Sequence, residues 1–303
     1  MGFVVLGSFS GLYHPAGLNL ISRTDNLSQN MAYHGISGSI GLTLGPVIGA
    51  GIAIIFDWQT AYLFLGFISL LGLFTSVFVV NSALQIQNRI EKFHRFRISK
   101  SQITIIIVAA IWGFSHQGLF HFLPKYFSEN VNTITYNSES IIENLDNDIS
   151  TQNNFNNKVL KGGLLTAFVL LLGIVGQIVG GKLGAIIPRN KLLIWVIGLN
   201  IPFLILMGFT SGLLLIVVTI ILGAINFTFQ PVNNSLIADV TKEENRGMMY
   251  GLSMGFGFGI GSLGPKLGGY FSSNLDIYYP ILGIILIPAV FISYYLWKRI
   301  DNS

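Results

Sequence analysis

From Gly35 to Gly51 the chain reads G-I-S-G-S-I-G-L-T-L-G-P-V-I-G-A-G, apolar throughout, with six glycines and a single proline at Pro46. In water so much glycine disfavours a helix. In a bilayer, small residues let helices approach closely, and a proline is tolerated where neighbours re-satisfy the carbonyl it frees. The stretch has a counterpart: Gly255 to Gly269 reads G-F-G-F-G-I-G-S-L-G-P-K-L-G-G. An offset of 219 places Gly38 on Gly257, Gly45-Pro46 on Gly264-Pro265, Gly49 on Gly268 and Asp57 on Asp276. Upstream, an offset of 216 places Pro15 on Pro231, Leu20 on Leu236 and Ile21 on Ile237, so one loop differs by three residues. Two copies of a three-helix unit account for this register.

Composition sets the solvent. Of 303 residues, 51% are hydrophobic and 10% charged, where soluble domains carry about 25% charged residues. The mean hydropathy is +0.65. These values describe a polytopic membrane protein of all-α class. There is no cysteine, which excludes disulfides and thiolate metal sites. The net charge of +4 is a matter of loop distribution, not of nucleic-acid binding. The first apolar run lacks a basic leader, so no cleavable signal peptide is expected.

Apolar runs predict nine membrane helices, at 2–22, 31–55, 58–80, 102–127, 162–187, 192–210, 212–237, 247–271 and 277–297. Arg23, the cluster Arg89, Lys92, Arg95, Arg97 and Lys100, then Arg189, Lys191, Lys242, Arg246, Lys298 and Arg299 all fall on one side of this arrangement. That side is expected to be cytoplasmic, with the C-terminus inside and Met1 outside. An odd number of spans with an external start suggests missing material. Residues 81–101 read as a basic linker, whose charges either set topology or meet anionic lipid. Residues 129–158, with nine asparagines, read as a loosely ordered external loop.

Gly41, Gly45, Pro46 and Gly49 make the pattern G-x3-G-P-x2-G, which resembles the fifth-helix motif associated with antiporters of the major facilitator superfamily. Ala32 and Ala50 stand where the longer motif has glycine. Tyr13-His14-Pro15 and the run from Gly118 to Tyr126 resemble the fourth and seventh helices of fosmidomycin-resistance-type members. Of that superfamily's loop signature G-x-L-x-D-R-x-G-R, Gly181, Leu183 and Arg189 remain; Ala185 replaces the acid, Ile186 the first base and Pro188 the glycine, which puts the gating chemistry of that loop in question. The resemblance implies a fold of two six-helix halves, with the nine predicted helices equivalent to the family's fourth to twelfth and the first three absent. Residues 1–80 are then a partial N-terminal half, 81–101 a cytoplasmic linker and 102–303 the C-terminal half. The implied activity is secondary transport with drug or small-organic efflux by proton exchange, in a prokaryotic plasma membrane.

Polar residues at membrane depth are the candidates for a substrate or proton pathway. His14, beside Pro15, either relays a proton or bonds the carbonyl that the proline frees. His116 and Gln117 either face a central cavity or pack on a neighbouring helix. Asn226 and Gln230 share a helix face with Asn233 and Asn234, as interhelical glue or as cavity lining. Lys266 either holds an anionic substrate or snorkels to water. Gly41, Gly45, Pro46 and Gly49, with Gly264, Pro265 and Gly268, read as packing elements. His116 and His121 are five apart, about 140° around a helix, so a metal pair is not expected. Nor is any cofactor. No acid lies deep in a predicted span, which leans the cargo towards anionic or neutral small molecules. The bilayer and protons are the other expected partners, and nucleic acid is not. Enzyme activity is not expected, because no acid cluster, metal set or activated nucleophile is visible. The competing expectation is a non-transporting, truncated chain or a subunit that requires a partner.

Overall fold

The computed structural model describes residues 2–84, 98–131 and 147–301. Among them are ten α-helices and no strand: α1 (Gly2–Ile21), α2 (Leu27–Ile55), α3 (Trp58–Leu84), α4 (Lys100–Asn130), α5 (Asn147–Ile186), α6 (Arg189–Met207), α7 (Gly212–Asp239), α8 (Arg246–Gly261), α9 (Leu263–Tyr270) and α10 (Leu275–Asp301). Seven of these are individually long and apolar enough to cross a membrane: α2 to α7 and α10. The fold class is the all-α membrane bundle expected from the hydropathy.

Two boundaries differ from the expectation. The predicted span 247–271 is divided into α8 and α9 at Ser262. Pro265 lacks the N–H that would bond Gly261 O, and its ring crowds that carbonyl; α8 ends at Gly261, with Ser262 as its cap. The second difference is in the loop expected at 129–158. Helix α4 runs to Asn130, and residues 147–158 form the first turns of the 40-residue α5. Extending an existing helix adds one hydrogen bond per residue fixed, without the cost of a new nucleus, so even asparagine-rich sequence can follow. Residues 132–146 lie outside the described residues, as do Arg89, Lys92, Arg95 and Arg97 of the expected basic linker.

The chain separates into two compact units: Met1–Ile36 with Ile98–Ser303, and Ser37–Arg97. The smaller unit holds the second half of α2 and all of α3. Asp57 starts α3: its Oδ1 accepts the Thr60 N–H at 2.6 Å, which holds the carboxyl below the ordinary carboxylate range. Most of its large apolar side chains are open, Leu63 at 75% and Phe74 at 66%. Such surface suits lipid, not water.

In the larger unit, α5 lies along α7, α6 along α10 and α4 along α8. Glycine allows the closest of these approaches. Gly173, Gly176 and Gly180 share one face of α5. A Cβ on them would strike the Phe227 ring, Ala224 O and, at 2.8 Å, both Thr228 O and the Pro231 ring. Thr228 Oγ1 donates across the same seam to Gly176 O at 2.9 Å. Helix α4 begins with a capping box: Ser99 Oγ accepts the Gln102 N–H at 3.2 Å and Gln102 Oε1 accepts the Ser99 N–H at 2.8 Å. The Gln102 amide then donates to Thr241 Oγ1 at 3.2 Å, fixing the start of α4 against the end of α7.

Candidate functional site

Three helices contribute to a polar chain inside apolar surroundings. Asn200, on α6, is fully buried, and Asn226, on α7, nearly so. Asn200 Nδ2 donates to Val196 O at 2.7 Å, and Asn226 Nδ2 donates to Asn200 Oδ1 at 3.1 Å. Asn226 Oδ1 stands 2.6 Å from His116 Nδ1 on α4. The rings of Phe120 and Phe227 flank the imidazole, with centroids at 5.0 and 5.9 Å. Unsatisfied amides at this depth would each cost about 1–3 kcal/mol, so the chain is a condition for burying these residues at all. It also brings together His116 and Asn226, two of the sequence candidates.

A second histidine cluster lies on α1 and the first part of α2. The ring of His14 is 5.3 Å from Tyr13 and 5.7 Å from His34, centroid to centroid. His14 Nδ1 is buried with no hydrogen-bond partner among the described residues, so this atom does not bond a carbonyl freed by Pro15. His34 was missed in the sequence because it falls near the start of its predicted span, where a polar residue draws no notice.

The remaining candidates are placed apart from these clusters. Gln117 Nε2 donates to the carbonyls of Phe258 at 3.1 Å and Gly257 at 3.3 Å, serving the last turn of α8 just before the break. Gln230 is half-buried on α7 and has no side-chain hydrogen bond among the described residues. Lys266 is exposed on α9. Gly264 lies against Phe114 O and Gly268 against the Phe122 and Tyr278 rings, with Pro265 half-buried between them. Among the described residues, nothing lies within 4 Å of where a Cβ on Gly41 or Gly45 would stand, one on Gly49 would meet Leu65 at 3.8 Å, and Pro46 is exposed.

Below the histidines, at the end bearing the basic loops, arginines tie the turn between α1 and α2 to the other helices. Arg189, at the start of α6, donates from Nε to Ser28 Oγ at 2.9 Å and to Gly184 O at 3.1 Å, and pairs with Asp239 at the end of α7. Arg246 Nη1 donates to Ser22 O at 2.7 Å, and Arg23 Nε stands 3.4 Å from Glu243 Oε1. Beneath the Arg189 contact, Gly181 of α5 abuts Ala32 of α2; a Cβ on that glycine would come within 2.6 Å of Ala32 Cβ. Arg189 is thus the part of the degraded loop signature that keeps a partner. Its acid comes from Asp239, 50 residues away, where the local motif has Ala185.

The sequence pattern of the Major Facilitator Superfamily matches residues 1–137 and 148–303. No curated protein sequence matches the chain. Among solved structures it is similar to the human organic anion transporter MFSD10 (TETRAN), at 15% identity and TM-score 0.65, over 91% of this chain and 66% of that one. It is also similar to the E. coli fucose:proton symporter FucP, at 9% identity and TM-score 0.61, over 93% of this chain and 73% of that one. A FucP structure in the outward conformation gives 10% identity and TM-score 0.61, over 93% and 72% of the two chains. The chain therefore spans just under two thirds of the length of MFSD10, and at these identities the likeness is one of fold. Helix content, internal repeat and the near-complete sequence match agree: the chain belongs to the Major Facilitator Superfamily.

Proposed function

We propose that this protein is a secondary active transporter of small organic solutes, working by alternating access and driven by proton exchange in the direction of efflux. In this reading its spans correspond to the family's fourth to twelfth helices. Residues 1–80 and 102–303 form the two sides joined by 81–101, and the basic loops face the cytoplasm. The observation that carries the reading is the set of arginine ties at the basic end. They join the α1–α2 turn to α5, α6, α7 and α8 through arginine side chains. A partly exposed ion pair contributes about 0.2–1 kcal/mol. Each hydrogen bond donated by a guanidinium contributes about 1.5–3 kcal/mol. These contacts are made by arginine side chains at helix ends, where they can be broken and remade one at a time as a solute or proton binds. This end can therefore close and reopen within a transport cycle.

His14 and His116 are the groups proposed to carry the coupling proton, since imidazole is the side chain that titrates near neutral pH. Gln117, Asn226, Gln230 and Lys266 complete the candidate pathway, and the cargo proposed is anionic or neutral. The names of two solved structures, an organic anion transporter and a fucose:proton symporter, support small-solute cargo and proton coupling. The test is reconstitution in liposomes with an imposed pH gradient, following internal pH as anionic and neutral compounds are added. Solute-dependent dissipation of the gradient is the expected result; folded protein that responds to none of them contradicts the proposal.

A second reading is a membrane subunit that completes itself with a partner. The glycine face of α2 supports it, because Gly38, Gly41 and Gly45 meet nothing within 4 Å among the described residues. Native mass spectrometry from bilayer discs separates the two: a monomer that transports excludes the subunit reading.

A further inference from the structure

Building on the proton-coupled reading above, we propose that Asn200 and Asn226 fix the proton position on His116, making Nε2 the atom through which this side chain takes up and releases a proton. The chain of bonds has one end with no freedom. Val196 O is a backbone carbonyl and can only accept. Asn200 therefore turns its Nδ2 towards it, at 2.7 Å, and its Oδ1 the other way. Oδ1 is again acceptor only, so the Asn226 atom 3.1 Å from it is Nδ2. Asn226 Oδ1 is then the atom 2.6 Å from His116 Nδ1, and an acceptor at that distance requires Nδ1 to bear the hydrogen. A neutral imidazole carries one N–H, so Nε2 holds the lone pair. Nε2 has no hydrogen bond among the described residues, and His116 as a whole is half-buried, not sealed in the core.

Proton uptake at Nε2 leaves the chain intact. Nδ1–H donates to Asn226 Oδ1 before and after, so no amide must turn over during the cycle. The flanking rings of Phe120 and Phe227 are apolar and offer no competing partner. The charged residues with described side chains on the helices packed on α4 are Lys158, Lys161 and Lys182 on α5, Asp239 on α7, Arg246 on α8, Lys266 on α9, and Asp276 and Lys298 on α10. Among the described residues none makes a hydrogen bond or ion pair with His116, whose side chain hydrogen-bonds Asn226 alone. Asn200 and Asn226 are thus positioning residues: they act on the proton through His116.

The experiment is nitrogen NMR of the full chain in lipid bilayers, with 15N-labelled histidine and His116→Gln identifying one of five imidazoles. The expected result for the neutral form is a protonated Nδ1 and an unprotonated Nε2, with Nε2 changing as the sample is titrated across about pH 5–8. Asn200→Leu frees the Asn226 amide to turn over and is expected to give a mixture of both tautomers. Asn226→Asp keeps an acceptor at Nδ1 and adds charge; titration is expected to move up by about 1–3 pH units. An Nε2–H tautomer in the unsubstituted protein overturns the proposal, as does unmoved titration in folded Asn226→Asp. The unsubstituted tautomer decides the matter even where a variant fails to fold. If Nε2 titrates as described while a pH gradient drives no transport, the assignment stands and the proton-coupled reading falls.

Discussion

The two glycine–proline stretches share a register but not a set of neighbours. In α8 and α9 the glycines are contact points: Gly261 faces Gly113 O and the Gln117 amide, Gly264 faces Phe114 O and Gly268 faces two aromatic rings. In α2, nothing among the described residues lies within 4 Å of where a Cβ on Gly38, Gly41, Gly45 or Gly51 would stand. Their prolines differ too. Pro265 ends one helix and sits in the first turn of the next, whereas α2 runs unbroken through Pro46 from Leu27 to Ile55. A small-residue stripe is therefore a capacity for close approach; whether it is used depends on what the fold brings alongside.

Substituting matched positions separates capacity from use. The largest effect is expected at Gly264→Ala, whose new methyl meets a backbone carbonyl that cannot swing away. Overpacking of this kind costs about 1–3 kcal/mol, while Gly45→Ala is expected to change stability by less than about 0.5 kcal/mol. Thermal unfolding in detergent reads both, and equal losses would break the comparison. Next comes Asp276, which accepts the buried Tyr126 hydroxyl at 2.8 Å. Asp276→Ala removes a hydrogen bond to a charged group, worth about 1.5–3 kcal/mol, reduced here because Tyr126 keeps Met207 O at 2.6 Å.

Gln117→Leu is expected to cost about 1 kcal/mol and to raise amide hydrogen exchange at the α8–α9 junction, where its amide serves two carbonyls. Unchanged exchange there would remove Gln117 from the account of the break. The smallest effect is at Asp57, the sequence counterpart of Asp276. Its carboxyl is held low chiefly by the Thr60 N–H, so the native state favours the ionised form. The stabilisation is then present above the unfolded-state value and is lost as pH falls through the lower native one. Exchange of the first α3 amides is expected to rise in that acid window, and Asp57→Asn should abolish the pH dependence while keeping the cap.

Much of the architecture could be read before any coordinates. Hydropathy placed the helices within a few residues, and the paired registers revealed the repeat. The break at Ser262 was hidden because Pro46 and Pro265 stand in near-identical contexts and differ only in their neighbours. The first turns of α5 were hidden because asparagine composition reports propensity, and propagation from an established helix outweighs it. Within the candidate site, His116 and Asn226 were visible as polar residues at membrane depth. Their linkage was not, since it depends on how α4, α6 and α7 pack. His34 gave no signal at all, and the partner of Arg189 lay beyond any local motif.

The central claim is that the basic end opens and closes. Ala32 is buried against Gly181 beneath the Arg189 contact, and the chain contains no cysteine, so Ala32→Cys gives a single thiol. Its rate of reaction with a membrane-impermeant maleimide is the direct measurement. The account predicts slow labelling in an otherwise unsubstituted chain and labelling about tenfold faster when Arg189→Ala removes the tie, as expected for the loss of about 1.4 kcal/mol. Equal rates in both proteins, with both folded, would contradict it.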